Sequence, residues 1–298
     1  MSAEQPFFAL DDDWCDHDSS GVHILPAPYE GSTSYGKGTS NGPAAVRNAS
    51  AYLELYDEEL DTEIFRLSGG IATQPSLRFD GDLKDEKAVS LIYEAVLPRV
   101  KQGRTVVTIG GEHTISIGAA RAYAEHFQDL SVLQLDAHSD LRQSYEGNPF
   151  SHASAMARIY EHNRDIVQVG IRSQCIEESE LIKKEGIKTF YSLHIRNGRY
   201  GHGDSWHEEV IASLGKNVYL TIDCDFFDPS VIPAVGTPEP GGFGWDETMR
   251  FLRKLAERRN ITGFDVNELQ PIPSLSYADF TVAKLIYKLI GYIYINKD

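Results

Sequence analysis

The 298-residue chain is 41% hydrophobic, enough to bury a sizeable core in one large domain or two smaller ones, which excludes a disordered or fibrous protein. Its 28 Lys and Arg against 44 Asp and Glu leave a formal net charge of −16, which repels nucleic acid and anionic membranes and attracts small cations, though solubility accounts for it equally well. Cys15, Cys175 and Cys224 lack the number and spacing of a disulfide framework or zinc-thiolate site, and with no basic apolar leader or bilayer-length apolar run a cytoplasmic protein is expected.

In chain order, the first element is an apolar, β-rich run at 22–25 (VHIL), read as a strand. The Gly-rich stretch 30–43 lacks the strand-to-helix context and lysine placement of a phosphate loop, and is read as a surface loop near the site. Apolar spacing then predicts a helix over 88–100, a strand over 105–109, a helix over 115–127 and a strand over 130–135. A helix over 153–160, strands over 166–169 and 218–222, a helix over 245–255 and a strand over 261–264 follow. Residues 277–294 alternate apolar pairs with Lys284 and Lys288, as an amphipathic helix packed on a sheet does. Alternating strand and helix, with no linker, repeat or low-complexity tract, predict a single α/β domain over 1–298, a three-layer α/β/α arrangement around a mostly parallel sheet.

Four of the strands end in polar clusters. TVVTIGGEH closes on His113, SVLQLDAHSD on Asp136, His138 and Asp140, VYLTIDCDFFDP on Asp223 and Asp225, and ITGFDVNELQP on Asp265 and Glu268. The carboxyl ends of parallel strands share one edge, where ligands bind, so these clusters converge. Alternation along a strand predicts that Asp136, His138 and Asp140 share a side, as do Asp223 and Asp225, with Cys224 turned to the core. A lone D-x-H-x-D is more often loop polarity or a helix cap than a metal site. Four Asp and two His at one edge read as ligands, because burying so many carboxylates without cations is prohibitively costly. The oxygen-rich, thiolate-free set favours two Mn²⁺, with Mg²⁺, Fe²⁺, Co²⁺, Ni²⁺ or Zn²⁺ compatible.

The motifs GGEHTIS (110–116), LDAHSDLR (135–142), SHASAM (151–156), TIDCDFFDPSVIPAVGTPEPGG (221–242) and DVNELQP (265–271) resemble, in order and spacing, the ureohydrolase (arginase, agmatinase) family. PAPYEGSTSYGKGTSNGPAAVR (26–47) is similar to its agmatinase-like branch. The resemblance implies an arginase-like fold, with one Mn²⁺ held by His113, Asp136, Asp140 and Asp223 and another by His138, Asp136, Asp223 and Asp225, so that Asp136 and Asp223 bridge. Ions roughly 3.5 to 4 Å apart lower the pKa of a shared water to about 7, and the hydroxide attacks the guanidinium carbon with Asp140 orienting it. His152 matches the family's proton-shuttling histidine, with a helix-capping Ser-His pair as its alternative. Glu268 matches the carboxylate that pairs with the guanidinium in a bidentate geometry. Two departures stand out: SHASAM replaces the more usual His-Gly-Thr pattern, and Glu112 replaces a more common aspartate. A homo-oligomer, trimer or hexamer, is also implied.

The loop after the D-x-H-x-D motif, 141–150, does not look like the arginase version. Glu146 is a candidate substrate-binding residue for the distal ammonium of agmatine or a longer aminopropyl derivative, whereas Arg142 suits a carboxylate; each is as readily paired with a surface neighbour. The expected reaction is hydrolysis of agmatine to putrescine and urea. N1-aminopropylagmatine, arginine and guanidinobutyrate are the alternative substrates. A binuclear phosphoesterase would need a G-N-H-[DE] motif that this chain lacks, a deacylase usually uses one open metal site, and a non-catalytic relative would not need intact ligands and Glu268.

Overall fold

Consecutive Val, Ile and Leu residues are buried on a strand only if both of its faces are covered. The computed structural model, which describes residues 5–81, 84–295 and 297, covers both with helices. The main sheet has eight strands: β1 (Val22–Ala27), β2 (Ile71–Thr73), β3 (Thr105–Gly110), β4 (Leu130–Leu135), β5 (Ile166–Val169), β6 (Lys188–Phe190), β7 (Asn217–Asp223) and β8 (Asn260–Asn267). Their order is β2-β1-β3-β8-β7-β4-β5-β6, and every pairing is parallel.

Alternation along the strands sorts the core into two layers. Leu133, Leu135, Leu220, Ile222 and Phe264 face helices Gly42–Ser50, Ser205–Ala212, Trp245–Arg258 and Tyr277–Tyr294. Val106, Val132, Ile166 and Tyr219 face helices Asp85–Lys101, Ile115–His126, Ala155–His162 and Ile176–Glu185 on the other side. The predicted three-layer α/β/α fold is what forms. Strands β8 and β7 lie between β3 and β4, so the connection leaving β3 runs over one face and that leaving β7 over the other. The crevice between such diverging connections is where parallel sheets bind ligands.

Several elements differ from expectation. The edge strands β2 and β6 are three residues each, too short for a periodic signal. Helix Ile176–Glu185 reads IEESELIKKE, with only Glu178 and Ile182 buried, so it shows almost no apolar stripe. The stretch read as a loop over 30–43 is a loop only at its start. Thr39–Asn41 is a 3₁₀ turn, and helix Gly42–Ser50 begins there with Pro43 in its first turn, where the missing N–H costs nothing.

Helix Tyr277–Tyr294 is covered on nearly every side from Val282 to Ile293 rather than half exposed. Its Lys288, 6% exposed, puts Nζ 2.9 Å from Asp57 Oδ2 and 2.7 Å from Glu59 Oε2. Removing one partner of a buried ion pair strands the other charge. Lys288→Met is expected to lower unfolding free energy by roughly 3 kcal/mol, with Asp57→Asn in the same chain restoring part of it, as chemical denaturation would measure.

Candidate metal centre

Backbone geometry past the strand ends aims the polar side chains. Where β3 ends the chain passes so close to its neighbours that a Cβ on Gly110 would sit 2.1 Å from Asn267 Oδ1, and one on Gly111 would sit 2.0 Å from the Tyr29 carbonyl. Two glycines are therefore required before Glu112 and His113. Strands β4 and β7 end at Leu135 and Asp223, so side-chain alternation is not what groups the acids. Tight turns do it instead. Asp136 Oδ1 accepts the His138 N–H at 2.6 Å, Asp223 Oδ1 accepts the Asp225 N–H at 2.9 Å, and Asp225 Oδ1 accepts the Ala137 N–H at 3.0 Å. Asp140 and Glu268 take left-handed backbone conformations, φ +51° and +64°, a strain that persists where surrounding structure fixes it.

All six predicted ligands meet at this edge. His113 Nδ1 lies 3.1 Å from Asp136 Oδ2, 3.1 Å from Asp140 Oδ2 and 3.3 Å from Asp223 Oδ2, yet it is buried without a hydrogen-bond partner of adequate geometry. His138 Nδ1 lies 2.8 Å from Asp225 Oδ2 and 3.8 Å from Asp136 Oδ1. Donor atoms of His113, Asp136 and Asp140 fall within 4.8 Å of one another, as do those of Asp136, His138 and Asp225, so Asp136 belongs to both groups. Donors about 2.1 Å from a hexacoordinate ion stand roughly 3 Å apart, which is the spacing here. An orphaned imidazole nitrogen aimed into carboxylates fits a pair of hard divalent ions.

Each half of the cluster has its own support. Behind His113, Nε2 meets Thr221 Oγ1 at 2.8 Å, and that hydroxyl donates to Asp265 Oδ1 at 2.6 Å. Asp265 also accepts from Ser116, Tyr219 and Asn267. It therefore orients the histidine from behind and does not join Glu268 at the strand-end surface. Behind the His138 half, Arg172 donates to four carbonyls: Asp225 at 2.5 Å, Glu239 at 2.9 Å, and Gly170 and Pro240 at 3.2 Å. Glu239 Oε1 stands 3.8 Å from His138 Nε2. Arg172 and Glu239 were not picked out from sequence, since an arginine that binds carbonyls leaves no spacing pattern.

The cluster opens into a cavity of about 250 Å³ lined also by His152, Glu268, Glu178, Tyr145 and Arg142. Glu268 Oε1 accepts the His113 N–H at 2.7 Å. Burial, then the nearby Glu112 charge, pushes the Glu268 carboxyl well above its ordinary range. Thr33, Ser34, Tyr35 and Gly36 of the Gly-rich loop form part of the wall, which agrees with its predicted place near the site. Glu146 lies elsewhere. It is exposed and lines an adjoining hollow with Glu30, Lys37 and Asn148, which shares Thr33 and Tyr145 with the main cavity. Cys224 is buried in the core as expected.

Without cations the cluster stores protons. Burial, then the charges of Asp225 and Asp140, raises Asp136 to about 7. Burial alone would lower His138, but Asp225 and its hydrogen bond bring it up to about 11. Ligation needs ionised Asp136 and neutral His138, so divalent ions displace protons. Metal uptake should therefore weaken as pH falls below about 11, more steeply below about 7, and release protons when it occurs, as titration in weakly buffered solution would read. Arg172→Met should weaken metal retention about 10- to 100-fold, measured as metal content after dialysis.

The Arginase family model matches residues 20–291. The chain is 39% identical to the N(1)-aminopropylagmatine ureohydrolase of Synechocystis sp. over 92% of its own length and 89% of that protein's. It is 33% identical to the agmatinase of Pyrococcus horikoshii, over 90% of each. Among solved structures, the agmatine ureohydrolase of Thermoplasma volcanium superimposes with a TM-score of 0.83 at 26% identity, covering 95% of this chain and 92% of that one. A match this long, running through every strand-end cluster just described, leaves one assignment: the chain belongs to the arginase family and is a ureohydrolase.

Proposed function

We propose that this chain hydrolyses the guanidinium group of agmatine, giving putrescine and urea. The observation that carries this reading is Glu268, a carboxylate on the cavity wall beside the Asp/His cluster that makes no ion pair among the described residues. Its Oε1 is fixed by the His113 N–H, and Oε2 is left to pair with the guanidinium. His113, Asp136, Asp140 and Asp223 would hold one ion and Asp136, His138, Asp223 and Asp225 the other, with Mn²⁺ favoured. When bound, such a pair supplies a water ionised near neutral pH and positive charge against the developing negative charge.

The chain's own residues do the rest. Asp140 orients the attacking water, and Glu268 holds the guanidinium in place and neutralises it. His152, on the cavity wall, carries the proton to the departing nitrogen. Once the ions take Asp140, Asp223 and Asp225 and the guanidinium takes Glu268, Glu178 and Arg142 balance in the lining, so it is the net charge of −16 that favours a cationic substrate over one with a carboxylate.

A second reading, N1-aminopropylagmatine as substrate, is favoured by the name of the relative at 39% identity. Glu146, in the hollow next to the cavity, would then face the added ammonium. The same proposal includes a homo-oligomer, trimer or hexamer, in the cytoplasm, where Cys15, Cys175 and Cys224 stay as free thiols.

Urea release from agmatine, N1-aminopropylagmatine, arginine and guanidinobutyrate by the Mn²⁺-loaded protein tests the reading. Agmatine is expected to give the highest kcat/KM; turnover confined to the others overturns it in favour of whichever is cleaved. Glu268→Gln should lower kcat/KM at least about 100-fold, from the roughly 3 kcal/mol lost when a buried charge pair loses one member, with metal content unchanged.

A further inference from the structure

The departure at Glu112 has a structural counterpart. Glu112 is fully buried, and its carboxylate grips one residue of the Gly-rich loop: Oε1 accepts the Ser32 N–H at 2.6 Å and Oε2 accepts the Ser32 hydroxyl at 2.7 Å. Ser32 Oγ in turn accepts the His152 N–H at 3.0 Å and lies 3.1 Å from His152 Nδ1. The shorter aspartate side chain, built on the same backbone, would end one methylene further from that hydroxyl.

Counting protons fixes the direction of the last contact. A serine hydroxyl has one proton to donate, and an ionised carboxylate can only accept. The Ser32 proton is therefore spent on Glu112, and its lone pairs face His152. For Nδ1 to bond a lone pair it must carry the ring proton. That leaves Nε2 unprotonated as the basic atom of a ring on the cavity wall, with Tyr145 edge-on at 5.6 Å between ring centres.

We propose that Glu112 and Ser32 are positioning residues that lock His152 in its Nδ1–H tautomer, so that Nε2 is the atom that takes up and returns the proton in guanidine hydrolysis. This rests on the reading of His152 as the proton carrier. Nε2 accepts a proton released by the attacking water. It then gives that proton to the nitrogen of the C–N bond that breaks, whose electron pair stays with the departing amine, and the ring returns to neutral. The Glu112 charge, relayed through Ser32, favours the imidazolium formed between the two transfers.

The test uses the full chain labelled with ¹⁵N-histidine and loaded with a diamagnetic divalent ion. Ring ¹⁵N shifts are expected to show His152 protonated at Nδ1, and Ser32→Ala to move the ring toward the Nε2–H form. In steady-state assays Ser32→Ala should lower kcat about tenfold with KM and metal content unchanged, and Ser32→Thr, which keeps the hydroxyl, should recover most of it. Glu112→Gln, whose single amide oxygen must take the Ser32 N–H and so turns its NH₂ to the Ser32 hydroxyl, frees that hydroxyl's proton for Nδ1 and should lower kcat with the ring moved toward the Nε2–H form. A wild-type ring protonated at Nε2 overturns the proposal, as does a Ser32→Ala protein with tautomer and kcat unaltered. If the wild type releases urea from no guanidine, the functional reading falls, and the ¹⁵N shifts still decide the tautomer.

Discussion

Mutual repulsion among four buried aspartates governs this molecule. Asp136, Asp140, Asp223 and Asp225 are each at most 6% exposed, and two imidazoles cannot offset them unless those rings hold protons above their ordinary range. An arrangement of this kind is tolerable in a low-dielectric interior only if compensating positive charge is part of the design. Everything around the cluster either resists its tendency to fly apart or waits for the cation that relieves it.

The fold meets that demand with rigid parts. Parallel strands bring four chain segments to one edge, and the insertion of β8 and β7 between β3 and β4 opens the crevice there. Each half of the centre is then braced from a different layer. The His113 side leans on a hydroxyl and carboxylate network inside the sheet, through Thr221 and Asp265, while the His138 side hangs on loops that Arg172 stitches together by their carbonyls. The first support is as stiff as the strands that carry it. The second is only as stiff as one side chain.

Much of this was legible in the sequence, for physical reasons that differ by element. The six longer strands announced themselves because burial on both faces demands unbroken apolar runs, and the candidate ligands because four of those runs ended in acids and histidines. The edge strands were silent, since three residues carry no period, and helix Ile176–Glu185 hid behind its charges. The grouping of Asp136 with His138 and of Asp223 with Asp225 was foreseen through strand alternation, but the structure achieves it with side-chain-to-backbone turns. The bonds that join Glu112 to Ser32 and Ser32 to His152 span 80 and 120 residues and follow no spacing rule, so only the folded chain reveals them.

The short flanking strands have a consequence for how copies of the chain can meet. A sheet edge presents unpaired N–H and C=O groups that invite a strand from another molecule. Here β2 and β6 offer three residues each, and β6 begins with an exposed lysine. A ladder that brief gives a second chain too few hydrogen bonds to offset the entropy of docking. Any association between copies would therefore have to be written in side chains, on helices and loops, and the sheet of each chain would be finished before a neighbour arrived.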